Sequence, residues 1–220
     1  MNTIQNHPED ELLASYSAAS LPLSQALCIS VHVEHCDVCN QKLKRLNQLG
    51  SQLMHQLKPS APSANLKKNL LDKLDSITED SHKDRSSARD NSIPSCLHQF
   101  IKSSYQDVAW KRISPDIHSF ELCRGQNNAK VELLRIKPGG TSNTHTHLGD
   151  EYTVILEGSF SDEAGLYHQG DFIVRNSSHR HTPVATQDKE CICLAVTEGP
   201  IQLTGLFSRL LNPFIRRSYA

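Results

Sequence analysis

The sequence changes its hydrophobic pattern along the chain, and this change limits the fold to a helical part followed by a β part. The first ~75 residues carry apolar residues at helical spacing and contain a single glycine, Gly50. Beyond residue ~105, short segments with strand-like alternation dominate. We therefore predict an α + β protein of two domains, with a helical domain at 1–80, a linker at 81–93 and a β domain at 94–220.

Four helices are predicted in the first part. Pro8 and the three acidic residues after it mark the start of the first helix, because negative charge is favourable at a helix N-terminus. Pro22 interrupts the pattern, so a second helix begins near it. A third helix is expected from about residue 37 to residue 57, and KPSAPSA at 58–64 has the composition of a linker before the fourth.

The fourth helix is amphipathic and follows that linker. Its apolar residues recur at helical spacing and form one stripe: Leu66, Leu70, Leu74 and Ile77. The stripe is either an arm that binds a partner or ordinary core packed on the other helices. Residues 78–92 are polar and of mixed charge, which predicts a flexible connection between the domains.

The second part contains successive short strands. The segments KVELLRIKPGG, EYTVILEGSF, GDFIVRNSS and CICLAVTEG each join β-branched or apolar residues to a turn signal. Many short strands separated in this way are typical of an antiparallel sandwich or barrel.

The charge balance argues against a nucleic-acid binder. Lys and Arg total 23 against 24 Asp and Glu, whereas binding to phosphates normally requires a basic face. The first 30 residues contain no Lys or Arg, unlike a secretory signal peptide, and the longest apolar runs are too short to span a bilayer. We expect a cytoplasmic protein that binds neither nucleic acid directly nor membranes. In that compartment its seven cysteines stay reduced and serve as ligands or core residues.

A cluster of metal-binding side chains lies at residues 32–39, HVEHCDVC. His32 and Cys36 share one face of a helix, and Cys39 completes a C-x-x-C pair that can hold one tetrahedral ion. A structural zinc site needs four ligands. His7 is a candidate for the fourth, with a surface role as the alternative. His35 competes with it, but on a helix it points about 100° away from His32 and Cys36. A redox pair is the other interpretation, and it normally requires a βαβ context.

The segment GGTSNTHTHLGDEYTVILEG, residues 139–158, is a second candidate metal site. On a strand, His145 and His147 project from the same face, and after a tight turn Glu151 can reach the same ion. Two imidazoles and a carboxylate suit a divalent ion such as zinc, iron or manganese. The alternative is an exposed turn with incidental histidines. The spacing G-x5-H-x-H-x3-E-x6-G, which runs from Gly139 to Gly158, resembles the first motif of the cupin family.

The resemblance to cupins implies an antiparallel β cupin barrel and a second motif with a fourth ligand. GDFIVRNSSHRHTP, which begins at Gly170, follows the outline of that motif and places the ligand on His181. His179 has the same strand parity and remains the alternative. The segment departs from the family at Asn176, where proline is usual, and at Ser178, where glycine is usual.

The two sites together resemble a narrower family. H-x3-C-x2-C between a second and a third helix, with a histidine near the N-terminus, resembles the zinc-binding anti-sigma domain. Such a domain followed by a cupin resembles the ChrR-type anti-sigma factors. The segments EYTVILEGSFSDE, CICLAVTEGP and LTGLFSRLLNPF are similar to the carboxy-terminal half of that family.

This resemblance implies a regulator that sequesters an extracytoplasmic-function sigma factor and releases it under oxidative stress such as singlet oxygen. It implies zinc in the first domain and a divalent metal in the cupin, with zinc preferred over iron or manganese. The implied ligands are His7, His32, Cys36 and Cys39 for the first site, and His145, His147, Glu151 and His181 for the second.

The competing hypothesis is a metal-dependent cupin enzyme of the dioxygenase type, because a His-His-Glu-His centre can keep open positions for a substrate. No further acid, base or substrate-binding pattern accompanies the two sites, so the regulator is preferred. A zinc-finger DNA binder is disfavoured by the neutral first half.

Overall fold

The computed structural model describes residues 4–76, 92–205, 208–217 and 219. Ile77 of the predicted stripe, and residues 81–91 of the predicted linker, lie outside the described residues. The order of helices followed by an antiparallel β part agrees with the pattern of the sequence.

The amino-terminal helices begin where the sequence signals place them. Asp10 and Glu11 occupy the first turn of the first helix, and Pro22 directly precedes the second. The second and third helices are separated by Cys36 alone, whose extended backbone (φ −112°, ψ 104°) ends one helix and starts the next. The bounds are α1 Asp10–Ser17, α2 Leu23–His35, α3 Asp37–His55 and α4 Leu66–Asp75.

The described residues of the second part form short strands, short 3-10 helices and one α-helix that follows the last strand. The strand bounds are β1 Lys111–Arg112, β2 Ile117–Arg124, β3 Lys130–Ile136, β4 His145–His147, β5 Glu151–Glu157, β6 Ser159–Asp162, β7 Gly165–His168, β8 Phe172–Arg175, β9 Val184–Ala185, β10 Cys191–Thr197 and β11 Ile201–Leu203. Helix α5, Asn212–Arg217, follows them.

The strands pair antiparallel in three sheets. The largest has the order β1-β2-β3-β10-β5-β8, and two small sheets have the orders β11-β4 and β7-β6-β9. The antiparallel cupin-like architecture is therefore confirmed, but the described strands do not form one continuous closed barrel. Pro183 and Pro200, which lack an N–H donor, directly precede the short strands β9 and β11 and limit their ladders.

Helix α2 packs on one face of the six-stranded sheet. Its buried residues, such as Ile29 and Val31, share one apolar cluster with Val154 and Leu194 of the sheet. Ile155, which points to the opposite face, belongs to a second cluster inside the β part. Because both faces of the sheet are covered, β10 is buried along its whole length. The helix that carries His32 is thus fixed against the β part.

Helices α3 and α4 leave much of their apolar surface exposed. Leu49 and Leu53 of α3 are 52% and 56% exposed, Leu57 just after α3 is 64% exposed, and Leu70 and Leu74 of α4 are 53% and 63% exposed. Helix α4 has no buried residue. The described part of the leucine stripe is therefore not core packed on the other helices.

Candidate metal centres

The first cluster brings together four side chains from three segments. His7 comes from the chain before α1, His32 from the last turns of α2, and both cysteines from the junction with α3. The Nδ1 atom of His7 lies 3.4 Å from Sγ of Cys36 and 3.5 Å from Sγ of Cys39. One donor atom from each of the four residues lies within 4.8 Å of the others. Two sulfurs and two nitrogens at this spacing match the donor set of a tetrahedral zinc site.

The hydrogen bonds of His32 define which ring nitrogen can bind a cation. Its Nδ1 donates to the carbonyl oxygen of Gly170 at 2.7 Å, so Nε2 carries a free lone pair. That Nε2 is buried and has no hydrogen-bond partner among the described residues. Burial also lowers the pKa of His32 to about 4, which keeps the imidazole neutral. A buried, neutral nitrogen in one cluster with two thiols fits a bound metal.

The thiols must lose their protons to bind a metal. Burial, together with the neighbouring Cys36, raises the pKa of the Cys39 thiol to about 12. A cation held between the two sulfurs stabilises the thiolate form, which is the form that ligates metals. His35 lies outside this group, and its Nδ1 bonds the carbonyl oxygen of Val31 at 3.0 Å.

The second cluster consists of three histidines whose ring nitrogens converge. His145 and His147 are buried on β4, with Thr146 between them turned to the other face. The Nε2 atom of His181 lies 3.0 Å from Nε2 of His147 and 3.1 Å from Nε2 of His145. The chain segment of His181 is held beside β4 by a β-bridge to His145.

The tautomers of this cluster leave lone pairs facing each other. His145 donates from Nδ1 to the carbonyl oxygen of Asn143 at 2.7 Å, and Nδ1 of His181 contacts Oδ2 of Asp162 at 3.1 Å. Both Nε2 atoms are therefore acceptors, although they are only 3.1 Å apart. Burial lowers the pKa of His145 to about 4 and that of His147 to about 3, so a shared proton is disfavoured near neutral pH. A metal cation fits this arrangement.

Glu151 stands at the edge of the second cluster. Its Oε2 lies 3.4 Å from Nε2 of His147, but it is not among the three residues whose donors are mutually close. Burial and the nearby Glu132 raise the pKa of Glu151 to about 7. A cation would favour its carboxylate form. His179 is exposed, and its Nδ1 lies 2.9 Å from Oδ1 of Asn176. The structure therefore places His181 in the cluster and leaves His179 outside it.

The chain is similar to proteins of one family over most of its length. A family model described as the ChrR cupin-like domain matches residues 98–202. The anti-sigma-E factor ChrR of Cereibacter sphaeroides is 31% identical over 215 residues, which cover 97% of this chain and 99% of that protein. The chain belongs to the ChrR family. A chain from the crystal structure of Rhodobacter sphaeroides SigE in complex with the anti-sigma ChrR is also similar, with 29% identity and a TM-score of 0.76 over 89% of this chain and 99% of that chain.

Membership of the ChrR family confirms the resemblance predicted from the two motifs. It also confirms the order of a helical part followed by a cupin-like part. None of the described helices combines the length and the apolar character that crossing a bilayer requires.

In this ChrR-family chain, Asp162 supports the second cluster from outside. Its Oδ2 lies 3.1 Å from Nδ1 of His181 and 2.9 Å from a guanidinium nitrogen of Arg175, and its Oδ1 accepts from Tyr167 at 3.0 Å. A carboxylate that bonds the second nitrogen of a ligating histidine orients the ring and raises its basicity. Sequence patterns did not identify Asp162, because it precedes His181 by 19 residues and belongs to no motif.

A cavity of about 270 Å³ opens beside the three histidines of the ChrR-family cupin. His145, Glu151 and His181 line one side, and apolar residues such as Ile117 and Phe160 line much of the rest. Space for a small molecule is therefore present at the second cluster.

Proposed function

We propose that this chain is an anti-sigma factor that sequesters an extracytoplasmic-function sigma factor and releases it under oxidative stress, singlet oxygen included. The observation that carries the proposal is the match to the anti-sigma-E factor ChrR over 97% of this chain and 99% of that protein. The similar solved chain comes from a complex with the sigma factor SigE. Because a sigma factor works with RNA polymerase in the cytoplasm, we propose that this chain is cytoplasmic as well.

We prefer a regulator to a metal-dependent enzyme, because the relative that matches 97% of this chain is an anti-sigma factor. The cavity beside the three histidines then serves a sensing role in this proposal and not catalysis.

The first cluster binds zinc in this proposal, with His7, His32, Cys36 and Cys39 as ligands. Support comes from the tetrahedral donor set of two sulfurs and two nitrogens. Zinc would connect His7, in the segment before α1, to Cys36 and Cys39 at the junction of α2 and α3. Such a site contributes to folding directly, since helices of this length have little core of their own.

The second cluster binds a divalent cation through His145, His147 and His181, with Glu151 as the fourth ligand. Zinc is the preferred ion, because imidazole and carboxylate donors suit it well, and iron or manganese are the alternatives. The proposed role of this metal is sensory: a change at the site alters how the cupin affects the affinity of the helical part for the sigma factor.

The sigma factor binds the exposed apolar faces of α3 and α4 in this proposal. Leu66, Leu70 and Leu74 are 44%, 53% and 63% exposed and follow one another at four-residue spacing. An amphipathic helix with such a stripe is suited to a hydrophobic groove of a partner. The proposed binding unit is the helical domain 1–80, followed by a linker at 81–93 and the cupin domain at 94–220.

The proposal is tested with the metal-loaded chain and purified sigma factors in a transcription assay. The chain is expected to form a one-to-one complex with its cognate sigma factor and to stop transcription from that factor's promoters, while transcription by the housekeeping sigma factor continues. Exposure of the complex to singlet oxygen is expected to restore transcription. A metal-loaded chain that binds and inhibits no such sigma factor would contradict the proposal.

A further inference from the structure

The turn between β7 and β8 reaches out of the cupin part and contacts the first cluster. This turn, residues 168–172, is called the Gly170 turn below. The carbonyl oxygen of Gly170 accepts the Nδ1 hydrogen of His32 at 2.7 Å. The ring of Phe172 packs edge-on against the ring of His32, with 5.7 Å between the centroids. The orientation of His32 is thus set by residues that follow it by more than 130 positions.

The same turn holds the segment that ends in His7. One carboxylate oxygen of Asp171 accepts the backbone N–H groups of Gln5 at 2.8 Å and Asn6 at 2.9 Å. The backbone N–H of Phe172 donates to the carbonyl oxygen of Asn6 at 3.0 Å. These three hydrogen bonds fix the two residues directly before His7.

Asp171 is suited to this task by its burial and by its second oxygen. The residue is 1% exposed, so its hydrogen bonds are shielded from competing water. Its other oxygen accepts the backbone N–H of His168 at 2.8 Å. One carboxylate therefore joins the turn of the cupin to the amino-terminal segment.

Gly170 is required where the two segments approach each other. Its φ is +90°, a conformation that favours glycine. A Cβ atom at this position would lie 2.5 Å from Cδ1 of Ile4, which belongs to the same amino-terminal segment. A side chain here would displace either that segment or the carbonyl that His32 contacts.

We propose that Asp171 and Gly170 are positioning residues of the amino-terminal metal site, so that the cupin part sets the metal affinity of a cluster whose four ligands all lie outside it. A histidine that ligates a metal needs an acceptor for its other ring N–H, and Gly170 supplies it. His7 lies in the segment before α1, whose ordering costs conformational entropy, and Asp171 holds that segment in place before metal binds. The proposal rests on the metal binding proposed above for this cluster, but not on the identity of the protein partner; an unchanged protein without thiolate-to-cobalt absorption would contradict that metal site itself.

The test is a cobalt(II) titration of the full-length, metal-free protein under reducing conditions. Thiolate-to-cobalt charge-transfer absorption reports the first cluster alone, because the second cluster has no thiol donor among the described residues. Asp171→Ala is expected to weaken cobalt binding at the first cluster by about 10- to 100-fold, the usual effect of losing an outer partner of a metal site. Asp171→Asn, which keeps one oxygen acceptor, is expected to lie between this variant and the unchanged protein.

Asp188→Ala is the matched control, since Asp188 is an exposed aspartate of the cupin part. It should leave both affinities unchanged. Cobalt at the second cluster is measured as the total bound cobalt minus the amount that the charge-transfer band reports. Its affinity distinguishes a positioning role from general damage to the cupin.

A selective loss at the first cluster, with second-cluster affinity retained, supports the proposal. Two results would overturn it. One is first-cluster affinity within about twofold of the unchanged protein in both Asp171 variants. The other is an equal loss at both clusters in Asp171→Asn as well as in Asp171→Ala.

Discussion

The leucine stripe of α4 offers a quantitative test of the sigma-factor surface. We consider the double substitution Leu70→Ala and Leu74→Ala. Both residues already lie on the surface, with 53% and 63% of their area exposed. Alanine keeps or improves helix propensity, so loss of binding would not be explained by loss of the helix.

The expected magnitude follows from the area that remains to be buried. Complete burial of a leucine side chain contributes about 1.5–3 kcal/mol. Between half and two-thirds of each leucine is still exposed, so the two together account for about 2–3 kcal/mol of binding free energy. This corresponds to a ~30- to ~150-fold increase in the Kd of the complex with the sigma factor.

The assay is isothermal titration calorimetry with metal-loaded protein at fixed salt. The control is Lys68→Ala with Asp72→Ala, two exposed positions on the opposite side of the same helix. It is expected to change the Kd by less than about threefold, because surface substitutions away from the interface have small effects. If the leucine variant behaves like this control, the stripe is not buried against the sigma factor.

Three further predictions concern the two metal sites and the domain boundary. The double substitution Cys36→Ser and Cys39→Ser is expected to remove zinc from the first site and to abolish inhibition, as measured by metal analysis and sigma-factor binding, whereas His35→Ala should keep both zinc and inhibition. A double variant that still binds zinc there and inhibits would contradict the ligand assignment. A fragment of residues 1–80 lacks the Gly170 turn and is therefore loaded with excess zinc. It is expected to co-elute with the sigma factor, and failure of the folded, zinc-loaded fragment would show that the cupin completes the binding surface. His145→Ala is expected to leave basal inhibition intact but to abolish induction by singlet oxygen in a reporter assay, and normal induction would remove this metal from the sensor.

Sequence patterns alone were sufficient for features that depend on near neighbours. The spacing of His32, Cys36 and Cys39 brings three donors to one helix junction, because the period of a helix is fixed by its backbone geometry. The alternation of β4 likewise buries His145 and His147 together. The order of a helical part and an antiparallel part followed from periodicity in the same way.

Tertiary structure alone decided how the two parts meet. The sequence divided the chain into two domains, but α2 and the six-stranded sheet share one apolar cluster. The sequence also gave no indication that Asp171 would hold the segment before His7, or that the carbonyl oxygen of Gly170 would accept a hydrogen bond from His32. A glycine carbonyl and a turn aspartate have no distinctive spacing, and their partners lie more than 130 residues away. Such contacts form only when packing of the whole chain brings distant segments together, whereas local periodicity acts within a few residues.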